Sequence, residues 1–124
     1  MTCGARQYNA GIKGRYQMYI IRRVAKTQPG KAWEVANYLT KITAAYEEAG
    51  RNPAHVYIGG QGLPGNSNVV YAEWRQESIE PTNMQTVPDI VRTLNGEMQQ
   101  LLTEYPIEFY ELVTAEKLRS RGLS

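Results

Sequence analysis

Cysteine and histidine are almost missing from this sequence, with Cys3 and His55 the single examples of each. A lone cysteine cannot close an internal disulfide, and one histidine builds no cluster with metal-ligand spacing, so neither a disulfide scaffold nor a structural metal is expected. Long apolar runs are lacking too. The longest fall far short of the ~20 residues that span a bilayer, and Met1-Thr2-Cys3-Gly4-Ala5-Arg6 has no apolar signal-peptide core. No membrane partner is expected, and the chain reads as cytoplasmic. Charge of one sign is also absent, because a formal net charge of +2 is too small to identify a polyanion partner. The basic clusters Arg6, Lys13, Arg15, Arg22, Arg23 and Lys26 near one end, and Lys117, Arg119 and Arg121 near the other, read as solvated ends. There is no internal repeat and no low-complexity tract. A length of 124 residues leaves room for one domain with one core.

What is present is a clear succession of periodicities. Residues 1–15 hold Gly4, Ala5, Ala10 and Gly11 among scattered polar residues and read as a flexible arm. Tyr16 to Val24 is rich in β-branched and aromatic residues and predicts a strand ending at Thr27-Gln28-Pro29-Gly30. From Lys31 to Ala49 the apolar residues Ala32, Val35, Ala36, Leu39, Ile42, Tyr46 and Ala49 keep helical spacing, and Gly50 supplies the stop. Two strands, His55–Ile58 and Asn68–Arg75, flank the glycine-rich stretch 59–67. That loop leads from strand to strand rather than into a helix, so it is not a phosphate cradle. Glu77 to Thr86 reads as a connecting, binding-type loop. A second helix is predicted from Val87 to Glu104, and Ile107 to Val113 alternates as a fourth strand. The core domain thus spans 16–114, and 115–124 reads as a basic C-terminal tail.

The order is βαββαβ, an α+β arrangement in which both helices lie on one face of a four-stranded antiparallel sheet. Side chains alternate along each strand, so each strand divides between two faces. Met18, Ile20, Val24, Val56, Ile58, Val70, Ala72, Trp74, Tyr110 and Leu112 are expected toward the helices. Arg22 falls in that set, where it must be paired, meet an anionic group, or escape by a bulge or by snorkelling. The open face receives Tyr19, Ile21, Arg23, His55, Tyr57, Tyr71, Glu73, Arg75, Phe109 and Glu111. That mixture is too aromatic for a solvent face and too charged for a dry core, which suits an isologous homodimer.

The βαββαβ order, the turn Gln28-Pro29-Gly30-Lys31 and the strand Val70-Tyr71-Ala72-Glu73-Trp74 resemble the dimeric α/β-barrel superfamily over roughly Tyr16 to Val113. Its members include antibiotic-biosynthesis monooxygenase-like, NIPSNAP-like and haem-degrading groups. The resemblance implies a ferredoxin-like subunit, a ligand cleft between sheet and helices, and a barrel made from two open sheet faces. It places Trp74 as a cleft tryptophan. The haem-degrading pattern pairs that residue with a first-strand asparagine and a second-helix histidine. Here Gln17 stands in the first strand and the second helix has no histidine, so haem is not expected.

Cofactor-free oxygenases and cyclases of this kind bind an electron-rich substrate, remove a proton and stabilise an oxyanion. The candidate catalytic residues are His55, Arg22 and Tyr71, because histidine titrates near neutrality, arginine can hold an enolate and tyrosine can donate to it. Trp74, Tyr57, Arg23 and Glu73 are the candidate substrate-binding residues. The expected function is a small dimeric enzyme of secondary metabolism acting on a hydrophobic oxygenated molecule, with no cofactor. The alternatives are a non-catalytic ligand-binding or scaffold dimer, and an RNA-recognition module using Tyr19 and Tyr71 as stacking platforms. The last is disfavoured because the third strand lacks the basic-Gly-aromatic-Gly signature and Glu73 would repel phosphate, so no nucleic-acid partner is expected.

Overall fold

β1 (Tyr19–Thr27) is the strand about which the sheet is built. The computed structural model of the chain describes residues 18–79 and 87–123. The expected N-terminal arm, Cys3, Gln17 and residues 80–86 of the expected binding loop lie outside the described residues. After β1 the chain turns at Gly30, whose φ of +80° is one that L side chains rarely adopt. It then enters α1 (Ala32–Glu48). Gly50 at φ +103° ends that helix, and the Arg51 N–H donates back to the Tyr46 carbonyl oxygen at 2.9 Å. β2 (Ala54–Gly59) and β3 (Val69–Gln76) form the expected hairpin, followed by α2 (Asp89–Gln99). β4 (Leu102–Glu104), β5 (Ile107–Glu111) and a short α3 (Ala115–Ser120) complete the chain.

All strand pairs are antiparallel, in the order β2-β3-β1-β4, with β5 also paired to β1. The sheet has five strands rather than the expected four, because the last position is divided at Tyr105-Pro106. Proline has no N–H for the ladder, while the Pro106 carbonyl oxygen still accepts from the Val24 N–H at 2.9 Å. The second helix also stops at Gln99 rather than at Glu104. The end of β1 competes for the next residues: the Gln28 N–H donates to the Leu101 carbonyl oxygen at 2.9 Å, and the Gln28 side chain donates to the Gln100 carbonyl oxygen at 3.0 Å. The stretch expected as a C-terminal tail contains α3, which Thr114 caps by accepting from the Lys117 N–H at 3.0 Å.

Both long helices cover one face of the sheet. The core there joins Ala25, Val70 and Ala72 of the strands to Ala32, Val35, Leu39 and Ile42 of α1 and Val91 and Met98 of α2. Burying such side chains contributes about 25 cal/mol for each Å² of apolar surface removed from water, and this fixes which edge of each helix faces inward. The phase of β2 and β3 is the expected one, with Val56, Ile58, Val70, Ala72 and Trp74 toward the helices. β1 and β5 are phased oppositely to expectation. Arg23 lies opposite Ala72 and Ile107 on the helix face, whereas Arg22 lies opposite Glu73 and Glu108 on the open face. Tyr19, Ile21, Phe109 and Glu111 therefore share the helix side, and Ile20, Val24 and Tyr110 the open side.

Candidate functional site

Between the helices and the sheet, at the end where α1 leads into β2, lies a cleft of about 260 Å³. Leu39, Ile42, Thr43 and Tyr46 of α1 form one wall, and Val91, Arg92 and Asn95 of α2, with Val87 before it, form the other. Its floor is Arg23, Ala72, Trp74 and Ile107. Arg51, Asn52 and Ala54 close one end, and Tyr105 enters from the break between β4 and β5. The Asn52 side chain donates to the Arg75 carbonyl oxygen at 2.5 Å, and the Ala54 N–H donates to Glu47 Oε2 at 3.0 Å, which fixes this end.

Two of the arginines that line the cleft rest on aromatic faces. Arg23 Nη1 donates to the Tyr105 carbonyl oxygen at 3.2 Å while its guanidinium carbon stands 4.0 Å from the centre of the Tyr105 ring. Arg51 stands 4.3 Å over the Tyr46 ring. Burial pushes the Tyr105 phenol above its ordinary range, and the Arg23 charge opposes that rise in part. Trp74 donates its indole N–H to Gln76 Oε1 at 2.6 Å, and the Gln76 amide donates to the Ser78 carbonyl oxygen at 2.7 Å. This relay fixes the indole at the floor.

The open face carries a second, closed network. Arg22 Nε and Nη2 both donate to Glu108 Oε1, at 3.1 and 2.8 Å, and the guanidinium lies 4.6 Å from the Tyr71 ring centre and 5.7 Å from that of Tyr110. Tyr57 stacks on Tyr71 with ring centres 5.1 Å apart and donates its hydroxyl to Glu73 at 2.6 Å. Tyr110 donates to Glu108 at 2.5 Å. That hydrogen bond and the Arg22 contact hold the Glu108 carboxyl below its usual value. Partial burial works to lower the Arg22 pKa, but the hydrogen bonds to Glu108 and Tyr57 and the Glu108 charge outweigh it, so the guanidinium is held charged above its ordinary value. Partial burial and the bond to Glu73 raise the Tyr57 phenol.

Of the seven candidate site residues, the structure brings Trp74 and Arg23 into the cleft and His55, Arg22, Tyr57, Tyr71 and Glu73 together on the opposite face. Arg22 does not stand beside Trp74, because β1 presents consecutive residues to opposite faces. Sequence reading missed Arg51, Arg92 and Tyr105. Their sequence neighbours, the Gly50 stop, Val91 on the apolar stripe and Pro106, mark where each lies but carry no signal that the three converge. Among the described residues no group of three or more His, Cys, Asp or Glu side chains is arranged to hold a metal ion, and no helix is long and apolar enough to cross a membrane.

No protein-family model matches the chain, and no curated protein matches it by sequence. Solved structures do match. A NIPSNAP-like domain protein from Burkholderia xenovorans is 16% identical, with a TM-score of 0.62 over 81% of this chain and 88% of that one. A candidate antibiotic biosynthesis monooxygenase from Caulobacter crescentus is 17% identical, with a TM-score of 0.57 over 79% and 92%. A dimeric protein of ferredoxin-like fold from Bacteroides fragilis is 10% identical, with a TM-score of 0.59 over 77% and 96%. The fold is ferredoxin-like. At these identities the fold is what is shared, and it is the one that the resemblance to the dimeric α/β-barrel superfamily implies. In this chain the ferredoxin-like sheet leaves one face to the helices and the cleft and the other to the Arg22–Glu108 network.

Proposed function

We propose that the protein is a small homodimeric enzyme whose helix–sheet cleft takes a hydrophobic, oxygenated molecule and oxygenates or cyclises it without a cofactor. The observation that supports this reading most is a single cleft surface that joins apolar walls and the Trp74 ring to the fixed Arg23 guanidinium. Flat apolar ligands stack on an indole, and a guanidinium favours the enolate of a phenolic or ketonic substrate over its neutral form. A ring methylene activated in this way takes one atom of dioxygen as a carbonyl oxygen, and its two hydrogens leave with the other atom as water. The substrate supplies all the electrons.

The second subunit belongs to the open face. Tyr57, Tyr71, Glu73, Arg22 and His55 form a half-exposed aromatic and charged surface, and the Bacteroides fragilis protein of the same fold is a dimer. Two such faces meeting across a two-fold axis would cover the tyrosine stack. Light scattering at tens of micromolar, on the order of where stable interfaces stay closed, tests this, and a monomer overturns it.

A ligand-binding dimer without catalysis is the second reading. It is favoured by the absence of histidine, cysteine and carboxylate side chains from the cleft lining among the described residues. Oxygen uptake with a panel of enolisable one- and two-ring phenols separates the two. The enzyme reading expects uptake that Trp74→Ala and Arg23→Ala abolish, whereas retained binding with no uptake favours the binding protein. Neither binding nor uptake removes the cleft from both.

A further inference from the structure

The cleft is electrically one-sided. Arg23, Arg51 and Arg92 line it, and among the described residues no Asp or Glu does. Arg51 is already engaged, over the Tyr46 ring among other contacts, whereas Arg23 and Arg92 enter no ion pair among the described residues. Arg23 is half-buried, and its positive charge is met by the face of the Tyr105 ring and by one carbonyl oxygen. A guanidinium has five N–H donors in a planar fork whose spacing matches a carboxylate, and most of that fork remains for a ligand. Arg92 stands exposed on the α2 wall that rises beside the Arg23 and Trp74 floor, so a molecule lying on that floor is in a cleft lined by both cations.

The walls set the rest of the ligand. Leu39, Val91 and Trp74 give apolar and aromatic surface, and a volume of about 260 Å³ compares with the roughly 150 Å³ of a cavity that takes one benzene. That is room for one or two fused rings and a small substituent. We propose that the cleft selects an aromatic carboxylate of one or two rings, its carboxylate engaged by Arg23 and Arg92 and its rings on Trp74. The proposal rests on the reading of this cleft as the ligand site. It adds the charge and size of what enters.

Calorimetric titration of the full chain with 2-naphthoate and with its neutral isostere 2-naphthamide tests the proposal. The acid should bind at least about tenfold more tightly at low salt, as a charge-assisted bond to a fixed guanidinium implies. Added salt should narrow the gap. Arg92→Gln alters an exposed side chain and should fold; it should remove most of the preference for the acid while leaving the amide within about twofold of wild type. Arg23→Gln should act in the same direction. Equal affinity for acid and amide overturns the anion proposal and leaves the cleft reading standing. Binding of neither probe overturns both. A preference for the acid that survives both substitutions shows that the carboxylate lands elsewhere, and overturns the proposal.

Discussion

On the open face of the sheet Arg22 is ringed by Glu108, Tyr71 and Tyr110, while on the helix face its neighbour Arg23 rests against the Tyr105 ring with a carbonyl oxygen as its hydrogen-bond acceptor. Adjacent residues of one type thus do opposite work. The Arg22 charge is neutralised within its own face by Glu108, so a partner that covers this pair meets no net charge at that point. The Arg23 charge is oriented but not neutralised by any carboxylate lining the cleft. Polar groups that satisfy one another prepare a surface for assembly, and polar groups that satisfy only themselves and a ring face remain available to a small ligand.

The strongest test of this contrast is Arg22→Ala. If two copies close over the open face, the change strands Glu108 inside the interface and costs about 3–5 kcal/mol, turning a dimer into a monomer in sedimentation at tens of micromolar. In a chain that never dimerises, the same pair keeps 31% and 37% of its side-chain surface exposed, solvent screens it, and its loss should leave the thermal melt nearly unchanged. A variant that stays dimeric breaks the account of the open face. Leu39→Ala acts on the other face. Leu39 is 1% exposed, so truncation should cost roughly 2–5 kcal/mol in urea unfolding while leaving association unchanged.

A smaller effect is expected from Tyr57→Phe, which removes the hydroxyl bonded to Glu73 and should cost about 0.5–1.5 kcal/mol, read from thermal melts. The smallest concerns acid stability. Glu108 stays ionised in the folded chain at pH values where an ordinary glutamate, near 4.5, takes up a proton. Its contribution is therefore complete above that range and is lost as pH falls through the lower folded value. Glu108→Gln should flatten the acid limb of a stability–pH curve and leave its shape near neutrality unchanged; an identical acid limb in the variant would falsify the pairing.

Element order, the long helices and the β2–β3 hairpin were legible because each has one apolar face and one polar face. The phase of β1 was not, since it lies centrally and Ile21, Val24 and Ala25 are all buried, with 1%, 5% and 0% exposure. A strand buried on both sides carries little alternation to read. Arg22 and Arg23 then look interchangeable until their neighbours are known, and the carboxylates Glu73 and Glu108 on flanking strands decide which one turns outward. β4 was absorbed into the second helix because Leu101 and Leu102 prolong its apolar stripe, while the demand of Gln28 for two carbonyl oxygens is a tertiary effect. The helix-facing side of Trp74 was legible from its strand position, whereas its place in a cleft came only from the resemblance to the barrel superfamily. Arg51, Arg92 and Tyr105 come from three separate segments, so only the packed chain assembles them.

The chain has two tryptophans, and they stand in different surroundings. Trp33 is 64% exposed, whereas Trp74 is half-buried in the cleft with its indole N–H tied to Gln76. An indole in water emits at longer wavelength than one that is partly shielded, and dissolved iodide or acrylamide reaches it more readily. The protein therefore contains an optical gauge for its own cleft. Trp33→Phe leaves Trp74 as the sole tryptophan, and with excitation at the red edge, where tyrosine does not absorb, a molecule that settles on the floor changes its colour, its lifetime and its access to quencher, with no label attached.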